Sequence, residues 1–328
     1  MRLGEIGEDA IVEFAKRVCV PDRRVELGAG DDAAVIRIGG ERIALTTDML
    51  VAGVHFPTGT AAKDIGKKAV AVNLSDLAAV GAEPVAVLFS IALPRSFKTR
   101  FVRELIRAMN RASTRYGCLL VGGDVNESEV FTISGVAVGR CKYSVLTRRG
   151  ARAGDLVGVT GPLGAAAAGI DVLRSKRLRE KFSKLVRAQL APEARIREGL
   201  VLARTPGVTA AIDISDGLAR NLWQLARESR VRVVVEKIPV DAAVRRFCEM
   251  EKRNPESYAL YGGEDYELLF TFRPAVLDRL KSSFSAIGSR FTVIGRVEKG
   301  LGVYVKRNGD IEPLPDRGFE HFVGTTKT

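Results

Sequence analysis

Short apolar runs rich in valine, isoleucine and alanine alternate along this chain with longer segments whose apolar residues recur with a helical period. That alternation is the pattern of α/β or α+β architecture. In the first half "RIALTTDML", "VAVLFSIAL", "LLVGGD" and "VFTISGVAVGR" read as strands. Between them "DIGKKAVAVNLSDLAAVG" and "FKTRFVRELIRAMNRASTRYG" read as helices, the second with Phe101, Leu105, Ala108 and Ala112 on one face. Gly81 and Gly117 stand where such helices stop.

With 328 residues, of which 46% are hydrophobic, the chain is long enough for about two globular domains. The polar, glycine-containing turn in "TRRGARAGDLVGVTG" marks the expected boundary, giving residues 1–149 and 150–328. The second half then reads as two helices, the strand "TAAIDISDG", a helix, strands around "VRVVVEKIP", the turn of "YGGEDYELLFTF", a helix and "FTVIGRVEKGLGVYV". No short solenoid-type repeat occurs, yet each half places an aspartate at a strand end before a helix.

Composition narrows the chemistry. Cys19, Cys118, Cys141 and Cys248 are scattered without a C-x-x-C pair, which argues against a zinc site or a disulfide framework. His55 and His321 are the only histidines, which leaves little room for histidine-based metal sites or a Ser-His-Asp triad. No apolar run reaches the roughly 18 residues of a membrane span, and the start "MRLGEIGEDAIVEF" carries acids where a signal peptide needs a basic then an apolar region. A cytoplasmic protein without membrane partners is therefore expected. The net charge of +12 raises nucleic acid as a partner. The basic residues are spread over surface-type helices such as "SKRLREKFSKLVRAQ", however, and only 6% of residues are aromatic, so no nucleic acid is expected. A positive field also attracts phosphorylated small molecules.

The informative pattern is aspartate after apolar strands. "GAGDDAAV" holds Asp31 and Asp32, "ALTTDML" holds Thr46, Thr47 and Asp48, "LLVGGD" holds Asp124, and "AIDISDGL" holds Asp213 and Asp216. Asp76 adds a carboxylate to an otherwise apolar helix, with Asn73 one turn earlier. Each has a local explanation: Asp216 as cap of a helix starting at Gly217, Asp31 in a turn, Thr-Thr-Asp at a strand end. Gathering several carboxylates costs several kcal/mol unless cations compensate. Without histidine or thiolate ligands, the cation that suits such a set is Mg2+, held by carboxylates, hydroxyls, water and phosphates.

Glycines precede several of these acids, in "GAGDD", "GGD" and "YGGEDYEL", where a missing side chain lets a phosphate or ring approach the backbone. No G-x-x-x-x-G-K-[ST] loop is present, and the proline and glycine spacing of "GVTGPLG" do not fit a dinucleotide fingerprint. A bound nucleotide requires another architecture.

Together, "GAGDDAAV", "TTDMLVAGVHF", "KAVAVNLSDLAAVGAEP", "GGD", "LTRRGARAGDLVGVTGPLG", "AIDISDGL", "GGEDYELLFT" and "RGFEHF" resemble, in that order and along nearly the whole chain, the thiamine-monophosphate kinase family. "GDDAAV" or "GGD" alone would indicate only the wider ATP-using superfamily of aminoimidazole ribonucleotide synthetase, selenophosphate synthetase and a hydrogenase maturation protein. The resemblance implies a two-domain aminoimidazole ribonucleotide synthetase-like fold, with an N-terminal mixed sheet and helices, a C-terminal α/β domain, and dimerisation through the N-terminal sheets. It implies ATP-dependent phosphorylation of thiamine monophosphate to thiamine diphosphate by direct in-line transfer, with several Mg2+ ions. Asp32, Thr46, Thr47, Asp48, Asp76, Asp124 and Asp213 match Mg2+ ligands, and Asp216 holds a further ion. Gly123, Asp124, Arg148 and Ser215 match ATP contacts. His55, Glu264 and Phe319 match positions that hold the thiamine portion. After "GGD" the family often carries threonine-rich sequence where this chain has "VNES", which leaves the contacts of Val125–Ser128 open.

This chemistry needs no strong base. The acceptor is a phosphate monoester with a second pKa near ~6, so its oxygen is already largely anionic. The obstacle is repulsion between two polyanions, which metal ions offset. Phe319 offers a π-face to the thiazolium cation, and Glu264 an acceptor for the pyrimidine amino group. The competing readings are a sister ATP-dependent activity of the superfamily, selenophosphate synthetase-like or aminoimidazole ribonucleotide synthetase-like, and a basic nucleic-acid-binding protein.

Overall fold

A computed structural model describes residues 2–19 and 22–322. In the first half the order is α1 (Leu3–Val18), β1 (Val25–Leu27), β2 (Ala34–Ile38), β3 (Glu41–Val51), α2 (Ala62–Ala79), β4 (Glu83–Leu93), α3 (Thr99–Arg115), β5 (Leu119–Glu127) and β6 (Thr132–Arg140). The six strands form one mixed sheet in the order β1-β2-β3-β6-β4-β5, with only the β4–β5 pair parallel. The expected strands and both expected helices are present, and Gly81 and Gly117 take the left-handed conformation just past α2 and α3. Of the segment Val125–Ser128, the first three residues belong to β5, which ends at Glu127.

The second half contains β7 (Leu156–Val159), α4 (Ala165–Leu173), α5 (Lys176–Lys181), α6 (Ser183–Leu190), α7 (Ile196–Arg204), β8 (Val208–Asp213), α8 (Leu218–Ser229), β9 (Arg232–Val235), α9 (Ala242–Glu251), α10 (Pro255–Tyr261), β10 (Leu268–Phe272), a 3-10 turn, α11 (Leu277–Ala286), β11 (Thr292–Glu298), β12 (Gly302–Arg307) and β13 (Asp310–Pro313). Its seven strands lie in the order β13-β12-β9-β11-β7-β10-β8, with β12 parallel to β9 and the other pairs antiparallel. Where two helices were expected before β8 there are four, because the chain breaks at Phe182 (φ −120, ψ 45) between α5 and α6 and turns again before α7. Helices α1, α9 and α10 were not anticipated.

Helix α2 is the hinge of the architecture. Residues on all its sides are buried, which is why "AVAVNLSDLAA" reads apolar all round and small. On one side it meets the first sheet and α3; on another, α7 approaches so closely that a Cβ on Gly199 would lie 2.1 Å from the Ala78 carbonyl oxygen. One apolar core therefore continues from Val70, Leu74 and Leu77 on α2 to Ala211 on β8 and Phe270 on β10. At the far edge of the first sheet, β5 pairs only with β4 and presents Leu119, Val121 and Val125 to solvent, each more than half exposed.

Candidate active site

Three carboxylates from separate elements converge. Asp32 comes from the turn between β1 and β2, Asp76 from the last turn of α2 and Asp213 from the last residue of β8, and one oxygen of each lies within 4.8 Å of the other two. Strand β8 is held in place by pairing with β10, where Asp213 stands opposite Leu268. Neighbouring polar groups fix the three acids. Thr46 Oγ1 donates to Asp76 at 2.5 Å, and Ser75 Oγ donates to Asp213 at 2.6 Å. The Asp32 carboxylate accepts from Arg148 at 2.6 and 3.1 Å, while its second oxygen is buried without a hydrogen-bonding partner.

Three acids this close disfavour one another's charge. Burial, followed by repulsion from Asp48, Asp213 and Asp32, holds Asp76 well above the usual carboxylate range. Burial and then Asp32 do the same to Asp213, against the Ser75 hydrogen bond. Burial raises Asp32 too, with Arg148 opposing. The set consists of hard oxygen donors, with one buried oxygen lacking a donor, and it fits a small divalent cation such as Mg2+.

Around this cluster the remaining expected positions divide. Asp48 lies on β3, its amide donating to Asn73 Oδ1 on α2 at 3.0 Å; burial and then Glu264 push its carboxyl up to about 6. Thr47, between Thr46 and Asp48, faces the other side of the strand, and its hydroxyl donates to the Gly135 carbonyl. Only the main chain of Thr47 can then turn toward the cluster. Asp124 is exposed on β5 and outside the trio, accepting from Asn126 at 2.6 Å, so the "VNES" segment supplies a partner to that carboxylate. Beside it Gly123 cannot carry a side chain: a Cβ would lie 1.9 Å from the Phe89 carbonyl oxygen.

Asp216 does not cap α8. Its helix has Gly217 at the cap position with no side-chain cap bond, and the Asp216 carboxylate instead lies 3.7 Å from Arg220. Burial lifts Asp216 to about 6, with Arg220 opposing. Arg148 is the counter-charge of Asp32, and its amide also donates to both oxygens of Asp31 at 3.2 Å. Burial and then Asp32 raise Asp31 to about 7. Ser215 offers its carbonyl to the Glu264 amide at 2.7 Å, which ties "AIDISDGL" to "GGEDYELL".

The three positions expected to hold thiamine lie together beside these acids. His55 Nδ1 accepts from the Val51 amide, so its proton sits on Nε2, and burial lowers its pKa. The His321 ring lies 5.5 Å from His55 and 4.8 Å from Phe319, edge to face with the latter. Phe319 is 42% exposed, with its amide bonded to the Asp216 carbonyl. Glu264 pairs with the buried Lys68 at 2.7 Å. Both Glu264 and Tyr266 take left-handed backbone conformations (φ 69 and 50), uncommon for residues with side chains and frequent at functional loops.

Several neighbours were given no role from the sequence. Lys68 opens "KAVAVNLSDLAAVGAEP", a lysine on a helix apolar on every side, and His321 lies within "RGFEHF", yet neither was singled out. Gln189 lies in none of the quoted motifs, and only the packing of α6 brings it here. Arg220, at a buried position of α8, reaches Asp9 on α1 at 2.6 Å and Glu320 at 3.2 Å, and so fastens the segment bearing Phe319.

Comparisons with known proteins place the chain in a family. Residues 30–141 match the profile of the AIR synthase related protein, N-terminal domain, and residues 152–307 that of the C-terminal domain. Thiamine-monophosphate kinase of Pyrococcus horikoshii is 39% identical over 90% of this chain and 91% of its own. The enzyme of that name from Aquifex aeolicus is 36% identical over 98% and 100%. A solved structure described as AaThiL complexed with AMPPCP and TMP superposes with a TM-score of 0.86 at 35% identity, covering 98% of this chain and 99% of that one. The Escherichia coli hydrogenase maturation protein HypE shares the fold alone, at a TM-score of 0.72 and 20% identity.

Proposed function

Because the chain belongs to the thiamine-monophosphate kinase family, we propose that the carboxylate cluster and the adjoining aromatic pocket form one active site. The chain is an ATP-dependent kinase that phosphorylates thiamine monophosphate to thiamine diphosphate. The observation that carries the site assignment is the convergence of Asp32, Asp76 and Asp213, drawn from both halves, within 4.8 Å of one another.

In this reading Asp32, Thr46, Asp48, Asp76, Asp124 and Asp213, with the main chain of Thr47, hold Mg2+, and Asp216 serves a further ion. Bound Mg2+ supplies charge neutralisation for two polyanions and a template for in-line transfer. The rest falls to the chain's own groups. Gly123 leaves the backbone beside Asp124 open to a phosphate, and Arg148 and Ser215 contact ATP. Released from Asp32, the Arg148 guanidinium is free to pair with a phosphate oxygen. Glu264 accepts from the pyrimidine amino group, His55 offers its Nε2 proton, and Phe319 lays its ring against the thiazolium. No residue is required as a general base, since the acceptor oxygen is already anionic at neutral pH.

Residues 1–149 and 150–328 are taken as the two domains, with the second supplying Asp213 and Asp216. The exposed apolar strand β5 and the neighbouring Val85 and Leu88 of β4 support dimerisation through the first domains. No helix among the described residues is long and apolar enough to cross a membrane. In this reading the kinase works in the cytoplasm with ATP and thiamine monophosphate as its partners, and without nucleic acid.

The deciding experiment incubates the purified protein with ATP, Mg2+ and thiamine monophosphate and assays thiamine diphosphate. Its appearance is expected. No product beside an active control enzyme overturns the proposal, and turnover of selenide or formylglycinamidine ribonucleotide instead would assign a sister activity.

A further inference from the structure

We infer that Lys68 and Gln189 are positioning residues for thiamine recognition, joining Glu264 to the His55 segment so that the aminopyrimidine meets a preset pair; this rests on the thiamine pocket proposed above. Lys68 Nζ donates to the His55 carbonyl at 2.6 Å and lies 2.7 Å from Glu264 Oε1. Gln189 Nε2 donates to Glu264 Oε2 at 2.7 Å and reaches the same His55 carbonyl at 3.5 Å. One ammonium and one amide therefore hold both oxygens of one thiamine contact and the backbone of the other. Lys68 comes from α2 and Gln189 from α6, so the two halves of the chain set this spacing jointly.

A purely structural ion pair accounts poorly for the arrangement. Buried ion pairs are often replaceable by apolar residues without loss of stability, and here only one partner is sealed: the Lys68 side chain is 1% exposed, that of Glu264 17%. Glu264 Oε1 is itself buried and, apart from the ion pair, has no hydrogen-bond donor among the described residues, so the carboxylate retains acceptor capacity for a ligand N–H. The Glu264 backbone is held in a left-handed conformation, with its amide bonded to the Ser215 carbonyl.

Gln189 adds a second mark. Both groups facing its amide nitrogen are acceptors, which fixes the orientation of the amide. Its oxygen is buried without a donor among the described residues.

The test is steady-state kinetics of full-length Lys68→Met and Gln189→Leu against each substrate. Losing a hydrogen bond to a charged group is expected to raise the KM for thiamine monophosphate at least about tenfold in Lys68→Met and about threefold in Gln189→Leu. The KM for ATP and kcat should stay within about threefold, the mark of lost substrate binding and not of lost chemistry. Adding Glu264→Gln to Lys68→Met should cost little more, since both changes remove one unit. Unchanged KM for thiamine monophosphate, a parallel rise in both KM values, or additive losses would overturn the inference. Should Lys68→Met not fold, Gln189→Leu decides alone, because it removes only a neutral group. Wild-type turnover is the control: its failure defeats the functional reading, whereas intact wild-type turnover with unaltered variants defeats only the positioning role.

Discussion

Ser75 and Asp213 are joined by a 2.6 Å hydrogen bond that spans 138 positions of sequence. The bond links α2 of the first half to β8 of the second at the carboxylate trio, so neither half completes the cluster alone. Ser75→Ala removes a donor that favours the ionised form of Asp213. The Mg2+ concentration giving half-maximal turnover is expected to rise about tenfold, with the melting temperature within a few degrees of wild type; a metal titration of activity measures it.

Asp76→Asn and Asp213→Asn each take one charge from a crowded buried set. Stability without metal should rise in both variants, since like-charge repulsion and burial of charge are relieved together. Turnover should fall at least about 100-fold, in the range for losing an electrostatic element of a phosphoryl-transfer site. Paired melting curves and assays check this, and near-normal activity in both would contradict the assigned roles.

The acids also set a pH dependence. Asp31 stands at about 7 and Asp48 and Asp216 at about 6 in the folded chain, all above the ordinary 3.8. Between these values the folded state binds more protons than the unfolded one, so stability falls as pH rises through that window. Melting temperatures in chelator are expected to decline from about pH 4 to about pH 7. Adding Mg2+ should reverse the decline most strongly at the upper end, where the ligands are deprotonated.

For the exposed edge, Val121→Glu with Val125→Glu places charges on β5 where both side chains are solvent-exposed. Light scattering is expected to show a dimer for the wild type and half that mass for the double variant.

Strand β3 and helix α2 were legible because their patterns are periodic and their motifs local: "TTDML" and "NLSDLAA" carry Thr46, Asp48 and Asp76 in a fixed frame. Asp32 and Asp213 were legible as chemistry, but their meeting with Asp76 depends on the packing of α2 between the two sheets, which no local window contains. The helices α5 and α6 were read as one because the break at Phe182 leaves no proline or glycine behind. Thr47 shows the limit of residue-by-residue matching, since strand alternation turns its hydroxyl away from its neighbours'. Lys68 and Gln189 escaped notice because a lysine or glutamine gains its meaning from what surrounds it.

The two imidazoles are 5.5 Å apart, and the chain has no others. In heavy water a proton spectrum of this protein would accordingly contain the ring signals of just two histidines, which lie side by side. Occupancy by thiamine compounds can then be followed on the unlabelled wild-type protein, with His321 reporting on the C-terminal segment and His55 on the strand end beside the acids.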